Sequence, residues 1–101
     1  MGRVSIVAER LKESRLQVGI SQKQLGIQAG IDVFSASSRI NQYERGKHMP
    51  DLQTLTRLAA VLGVPVPYFY CEDAELAAVI VKFSALGKAQ RKRLLGLIAE
   101  S

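Results

Sequence analysis

The chain has 101 residues, a formal net charge of +5, 48% hydrophobic residues, three prolines and a single cysteine. Those values leave room for one domain with a modest core and a short appendage, and argue against intrinsic disorder. No apolar run approaches the ~20 residues that a membrane-crossing helix needs. Arg3, Glu9 and Arg10 interrupt the only short apolar stretch near the start, so no signal peptide is expected. The lone Cys71 excludes an internal disulfide, fits a reducing cytoplasm, and reads as a half-buried thiol near a helix junction.

The positive charge is unevenly spread. Residues 1–70 carry 9 Lys/Arg against 5 Asp/Glu, whereas residues 72–101 carry 5 against 4. A polyanionic partner is implied, with its phosphate-binding surface on the first part of the chain.

Helical periodicity dominates and no strand-like alternation of any length occurs. Val4, Val7, Ala8, Leu11 and Val18 form one stripe that predicts a first helix over roughly 4–18, ended by Gly19. Arg15 falls on that stripe and requires an acidic partner if it is buried. Ser21 with Gln24 three residues later has the pattern of a capping box and opens a second helix that stops at Gly30. Leu25 and Ala29 face the core from it. Gly26 inside this helix costs about 1 kcal/mol relative to alanine, which a close helix approach would compensate.

Ile40 and Tyr43 mark the buried side of a third helix that starts between Ser35 and Ser37 and ends before Gly46. Pro50-Asp51 starts a fourth, with Leu52, Leu55, Leu58, Ala59 and Leu62 facing inward and Gly63 closing it. Val64 to Tyr70, with two prolines, reads as a short fifth helical turn offering Tyr68, Phe69 and Tyr70 for packing. A sixth helix begins near Glu72, Asp73 and Glu75, whose charges suit its dipole. A seventh runs from about Lys88 to Ala99. The expected class is all-α: a five-helix body over residues 1–70 and a C-terminal helical hairpin over residues 71–101.

Two short helices joined by a glycine-containing turn, the second rich in small polar residues, outline a DNA reader. The strings Arg10-Leu11-Lys12-Glu13, Gly19-Ile20-Ser21-Gln22-Lys23-Gln24-Leu25 and Ala29-Gly30-Ile31 resemble the Cro/repressor-type helix-turn-helix family of bacterial and phage regulators. So do Tyr43-Glu44-Arg45-Gly46-Lys47, then Pro50, Leu55, Leu58-Ala59 and Leu62-Gly63-Val64. The resemblance covers roughly residues 6–70. It departs between Gly30 and Glu44, where about four more residues than usual fall in Asp32-Val33-Phe34-Ser35 and lengthen the turn. Phe34 either packs in that turn or is exposed against the DNA backbone.

The resemblance implies a sequence-specific regulator of double-stranded DNA, a dimeric repressor reading a palindromic operator with its third helix in the major groove. Ser37 and Ser38 then take the N-terminal reading positions, Asn41 and Gln42 lie one turn later, and Arg39 reaches a guanine or a phosphate. Asn and Gln can each pair bidentately with adenine, and serine reads permissively. Gln22 matches the family position that hydrogen-bonds a phosphate, and Lys23, Lys47 and His48 are further phosphate candidates. Arg15 and Glu44 match a buried ion pair joining the first and third helices.

The sixth segment is apolar on nearly every side, so more than one face must be covered. A homodimer built on Leu76, Val79, Ile80, Phe83, Leu94, Leu97 and Ile98 would cover it. The competing arrangement is a monomer whose seventh helix wraps around the sixth. Lys88, Arg91, Lys92 and Arg93 either touch flanking DNA or, the commoner case, form a solvated basic face that keeps the hairpin soluble. No cofactor, metal or enzyme site is expected, because no paired carboxylates, Cys/His pair or phosphate loop stands out. The expected location is the cytoplasm, in association with the nucleoid, with no membrane partner. Alternatives within the fold are an antitoxin or restriction-modification controller, with a protein partner on the hairpin, or an adaptor that reads no bases.

Overall fold

Each of the first two helices is set by its cap. In the computed structural model, which describes residues 5–101, α1 (Ile6–Val18) starts where Ser5 Oγ accepts the Ala8 N–H. Val4, assigned to the same stripe, lies outside the described residues. Helix α2 (Gln22–Gln28) carries the full capping box: Ser21 Oγ accepts the Gln24 N–H at 3.0 Å and Gln24 Oε1 accepts the Ser21 N–H at 2.8 Å. Helices α3 (Ala36–Glu44) and α4 (Leu52–Leu62) follow, then a 3-10 turn (Val66–Tyr70), α5 (Ala74–Ala85) and α6 (Lys88–Ala99). The described residues hold six α-helices and no strand.

The core is the meeting point of α1 to α4 and the 3-10 turn. Leu11, Leu25, Ile40, Leu55, Leu58 and Phe69 are fully buried there. Two residues assigned to the core are not in it. Val18 is half-exposed, because α1 ends beside it and the chain turns away at Gly19. Leu52 is 65% exposed, because as the first residue of α4 it lies at the edge of the face that buries Leu55, Leu58, Ala59 and Leu62. The stripe of α1 is completed instead by Ser14 and Arg10, both buried. Ser14 Oγ satisfies itself by donating to the Arg10 carbonyl at 2.8 Å.

Arg10 was invisible to the apolar pattern, and it anchors the C-terminal part. Its Nε donates to the Cys71 carbonyl at 3.0 Å, its Nη2 to the Glu72 carbonyl at 3.1 Å, and its Nη1 meets Glu13 at 2.9 Å. Glu13 also accepts the Tyr68 hydroxyl at 3.0 Å. Cys71 is partly buried at this junction, its thiol donating to the Asp73 carbonyl. Prolines 65 and 67 tighten the fifth segment into a 3-10 turn, which buries Tyr68 and Phe69 and leaves Tyr70 exposed.

Burial, and next the hydrogen bond to Glu13 with its charge, push the Tyr68 hydroxyl up to about 12. The unfolded chain ionises near 10, so this contribution to stability is complete below pH 10 and lost as pH rises through 12. Urea melts of the wild type and Tyr68→Phe between pH 9 and 12 check this. The wild type should lose stability more steeply over that window; parallel curves would refute the assignment.

Helix α5 lies on the body through Ala77, which is buried, and Ile80 and Val81, which are partly so. Asp73 caps it, one carboxylate oxygen accepting the N–H groups of Glu75 and Leu76. Helix α6 does not wrap around α5, and it contributes no buried residue. It is tied only at its first turn. Arg91 donates to the Phe83 and Ser84 carbonyls at 3.2 and 2.9 Å, with its guanidinium 4.9 Å from the Phe83 ring centre. Arg91 therefore ties the start of α6 to the end of α5 and is partly buried, whereas Lys88, Lys92 and Arg93 are solvated. The projecting helix stretches the molecule to 51 × 32 × 23 Å and its radius of gyration to 15.2 Å, against about 13 Å for a compact chain of this length.

Candidate nucleic-acid interface

The approach of α2 to α3 depends on one missing methyl group. A Cβ on Gly26 would lie 2.7 Å from Ala36 Cβ and 2.9 Å from Ala36 Cα, so only glycine lets the first turn of α3 settle against α2. The connection between them is ordered by its own hydrogen bonds. Gly30 takes a left-handed conformation (φ 88°), Asp32 Oδ2 accepts the Phe34 N–H at 3.0 Å, and the Ser35 N–H donates to the Asp32 carbonyl. Ser35 precedes α3 without a side-chain cap. Phe34, at the tip of the added residues, is 94% exposed and packs in no part of the turn.

Helix α3 turns Ala36, Ile40, Tyr43 and Glu44 inward. Ser37, Ser38 and Arg39 are exposed on its other side, and Asn41 and Gln42 are half-exposed one turn later. Lys23, Lys47 and His48 are all exposed, Lys23 at the start of α2 and the other two in the loop after α3. The Lys47 N–H donates to the Gln42 carbonyl at 3.0 Å, holding this loop against the end of the helix.

Beneath that surface lies a polar cluster. Arg15 Nε meets Glu44 Oε2 at 2.6 Å and Arg15 Nη2 meets Oε1 at 2.9 Å, a two-pronged pair with the carboxylate side chain only 2% exposed. The remaining Nη1 donates to the Ile20 carbonyl at 3.0 Å. The bond to Glu44 holds the Arg15 guanidinium above its already high value, against the opposing effect of burial. Gln22 Nε2 donates to Glu44 Oε1 at 3.1 Å and to Asn41 Oδ1 at 3.3 Å. No buried side-chain nitrogen or oxygen among the described residues lacks a partner.

The residues read from the sequence thus divide into two groups. Gln22, Asn41, Arg15 and Glu44 form one continuous network, while Ser37, Ser38, Arg39, Gln42, Lys23, Lys47 and His48 surround it on the α2–α3 surface or the adjoining loop. Leu76, Val79, Leu97 and Ile98 are exposed on α5 and α6, and Ile80, Phe83 and Leu94 are half-buried. Among the described residues no group of three or more His, Cys, Asp or Glu could hold a metal ion, and no helix is long and apolar enough to cross a membrane.

A helix-turn-helix family model matches residues 11–69, which contain α2, α3 and both partners of the Arg15–Glu44 ion pair. Over 60 residues the chain is 40% identical to the SPbeta prophage-derived HTH-type transcriptional regulator YonR of Bacillus subtilis, covering 59% of this chain and 52% of that one. Over 61 residues it is 43% identical to an HTH-type transcriptional regulator of Haemophilus influenzae, covering 60% and 57%. The chain spans about half the length of the curated relatives it matches. The crystal structure of transcriptional regulator BswR is similar over nearly the whole molecule, at 48% identity, a TM-score of 0.87 and 93% coverage of each chain. The chain belongs to the helix-turn-helix family of DNA-binding transcriptional regulators.

Proposed function

We propose that the protein is a homodimeric repressor that reads a two-fold-symmetric operator, one α3 entering the major groove in each half-site. The observation that carries this reading is the two-sided build of α3. Its inner face is pinned by the buried Arg15–Glu44 pair, while Ser37, Ser38 and Arg39 stand free in solvent. Arg39, Asn41 and Gln42 supply groups that hydrogen-bond base edges, and Lys23, Lys47 and His48 flank them as phosphate ligands. The body spans residues 1–70 and the dimerisation element residues 71–101. Such a regulator acts in the cytoplasm, on the nucleoid.

Dimerisation is supported by the C-terminal helices. Leu76 and Val79 on α5 are each 51% exposed, and Leu97 and Ile98 on α6 are exposed by 61% and 58%. With α6 burying no residue against its own chain, a second copy is the surface that covers both helices. Two reading helices on one face of DNA would then sit about one helical turn apart.

Sedimentation equilibrium paired with DNA titration tests this. The wild type should be a dimer at micromolar concentration and should prefer its operator over unrelated duplex by at least about a thousandfold. Leu76→Glu with Leu97→Glu should give a folded monomer of much weaker affinity. A wild type that stays monomeric at high micromolar concentration contradicts the dimer. Binding that is indifferent to sequence and only salt-dependent contradicts base reading.

A further inference from the structure

We infer that Gln22 is a positioning residue for base readout, fixing Asn41 so that it offers its Nδ2 hydrogens, and not its carbonyl, to the DNA. The inference deepens the base-reading function proposed above and rests on it. The orientation follows from what each atom can do. Glu44 is bound by Arg15 through both oxygens, at 2.6 and 2.9 Å, and as a carboxylate it only accepts. The Gln22 atom 3.1 Å from Glu44 Oε1 must therefore be the amide nitrogen, since a carbonyl oxygen there would face a second acceptor.

The second hydrogen of that nitrogen is directed to Asn41 at 3.3 Å, so the Asn41 atom facing it must be the oxygen. Each amide orientation is thus dictated by the one before it, starting from the ion pair. Asn41 is half-exposed on α3, with its NH2 group left for an outside acceptor. Both Gln22 amide hydrogens are occupied, so Gln22 has none to give to a phosphate while the network holds.

The base recognised by Asn41 is consequently one with acceptors on its major-groove edge. Guanine, with O6 and N7 side by side, suits it best, and cytosine, which presents the N4 donor, suits it least. The bidentate adenine pair available to a free asparagine needs the Asn41 oxygen turned outward, which would break the bond to Gln22. The Arg15–Glu44 pair therefore sets part of the reading code, although neither residue reaches the DNA surface.

The test is selection of random duplex DNA by the full chain in parallel with Gln22→Ala, Asn41→Ala, the double variant and Asn41→Asp, below the melting midpoint of each. Asn41→Ala identifies the position that Asn41 reads. Gln22→Ala should flatten preference at that same position, losing roughly fivefold to tenfold of discrimination, and the double variant should be no flatter. Asn41→Asp still accepts from Gln22 but presents an acceptor outward, so it should shift the preference towards cytosine. This variant does not depend on the stability of Gln22→Ala. Uniform weakening by Gln22→Ala with the preference intact would overturn the inference and make Gln22 a phosphate ligand. A wild type that enriches no site would overturn the base-reading function as well.

Discussion

Arg15→Ala is expected to destabilise the protein by about 3–5 kcal/mol, as much as emptying a position in the hydrophobic core. The cost comes from what is left behind. Glu44 keeps its charge in a site where its side chain is 2% exposed, with Gln22 as its remaining hydrogen-bond donor. The Ile20 carbonyl loses the Arg15 Nη1 donor as well. Arg15→Lys should recover only part of this, because an ammonium cannot engage both carboxylate oxygens in the two-pronged geometry. Replacing both partners by methionine should cost less than Arg15→Ala alone, since no stranded charge remains. Chemical denaturation of the three variants decides it; an Arg15→Ala melt indistinguishable from wild type would show that the pair contributes nothing.

Gly26→Ala is expected to cost about 2 kcal/mol, even though alanine is the better helix former by about 1 kcal/mol. The added carbon would sit 2.7 Å from Ala36 Cβ, 2.9 Å from Ala36 Cα and 3.0 Å from the Ala36 carbonyl oxygen. Two of those atoms are backbone, so α3 itself has to move. Ala36→Gly in the same chain removes the nearest contact but neither backbone one, and should rescue only partly. Because α3 would be displaced from α2, DNA affinity should fall by more than the stability loss explains. An alanine variant with wild-type stability and affinity would show that the helix pair can slide without consequence.

These two variants also mark where sequence reasoning succeeds and where it stops. A charged residue on an apolar stripe and a glycine inside a short helix are local violations of pattern, and each is explained by a partner on α3. Glu44 and Ala36 answer Arg15 and Gly26 respectively. The capping box at Ser21 is similarly local, depending on groups three residues apart. Arg10 gives no such signal. Apart from Glu13 one turn on, its partners are carbonyl oxygens 61 and 62 residues away, and every residue has one. The exposure of Val18 and Leu52 has the same origin, since a stripe does not record where the neighbouring helix ends.

At the C-terminus, the apolar pattern of α5 calls for cover without naming its source. Arg91, read as one of four solvated cations, instead ties the first turn of α6 to the end of α5, and α6 buries no residue beyond that tie. In the reading surface, the residue types of Asn41 and Gln22 were readable, but the direction in which each amide points is fixed only by the chain of bonds back to Glu44. The added turn residues announced themselves by count alone, and neither the Asp32-centred backbone bonds of that turn nor the exposure of the Phe34 ring could be read from that count.

The central claim is that a dimer reads specific bases with α3, and selection of random duplex DNA by the purified protein near physiological salt tests it most directly. The account predicts enrichment of a two-fold-symmetric sequence with half-sites about one helical turn apart. It also predicts that Gln42→Ala relaxes one base position in each half-site. Retention of DNA with no enriched sequence, or enrichment of a site that Gln42→Ala leaves unchanged at every position, would contradict it.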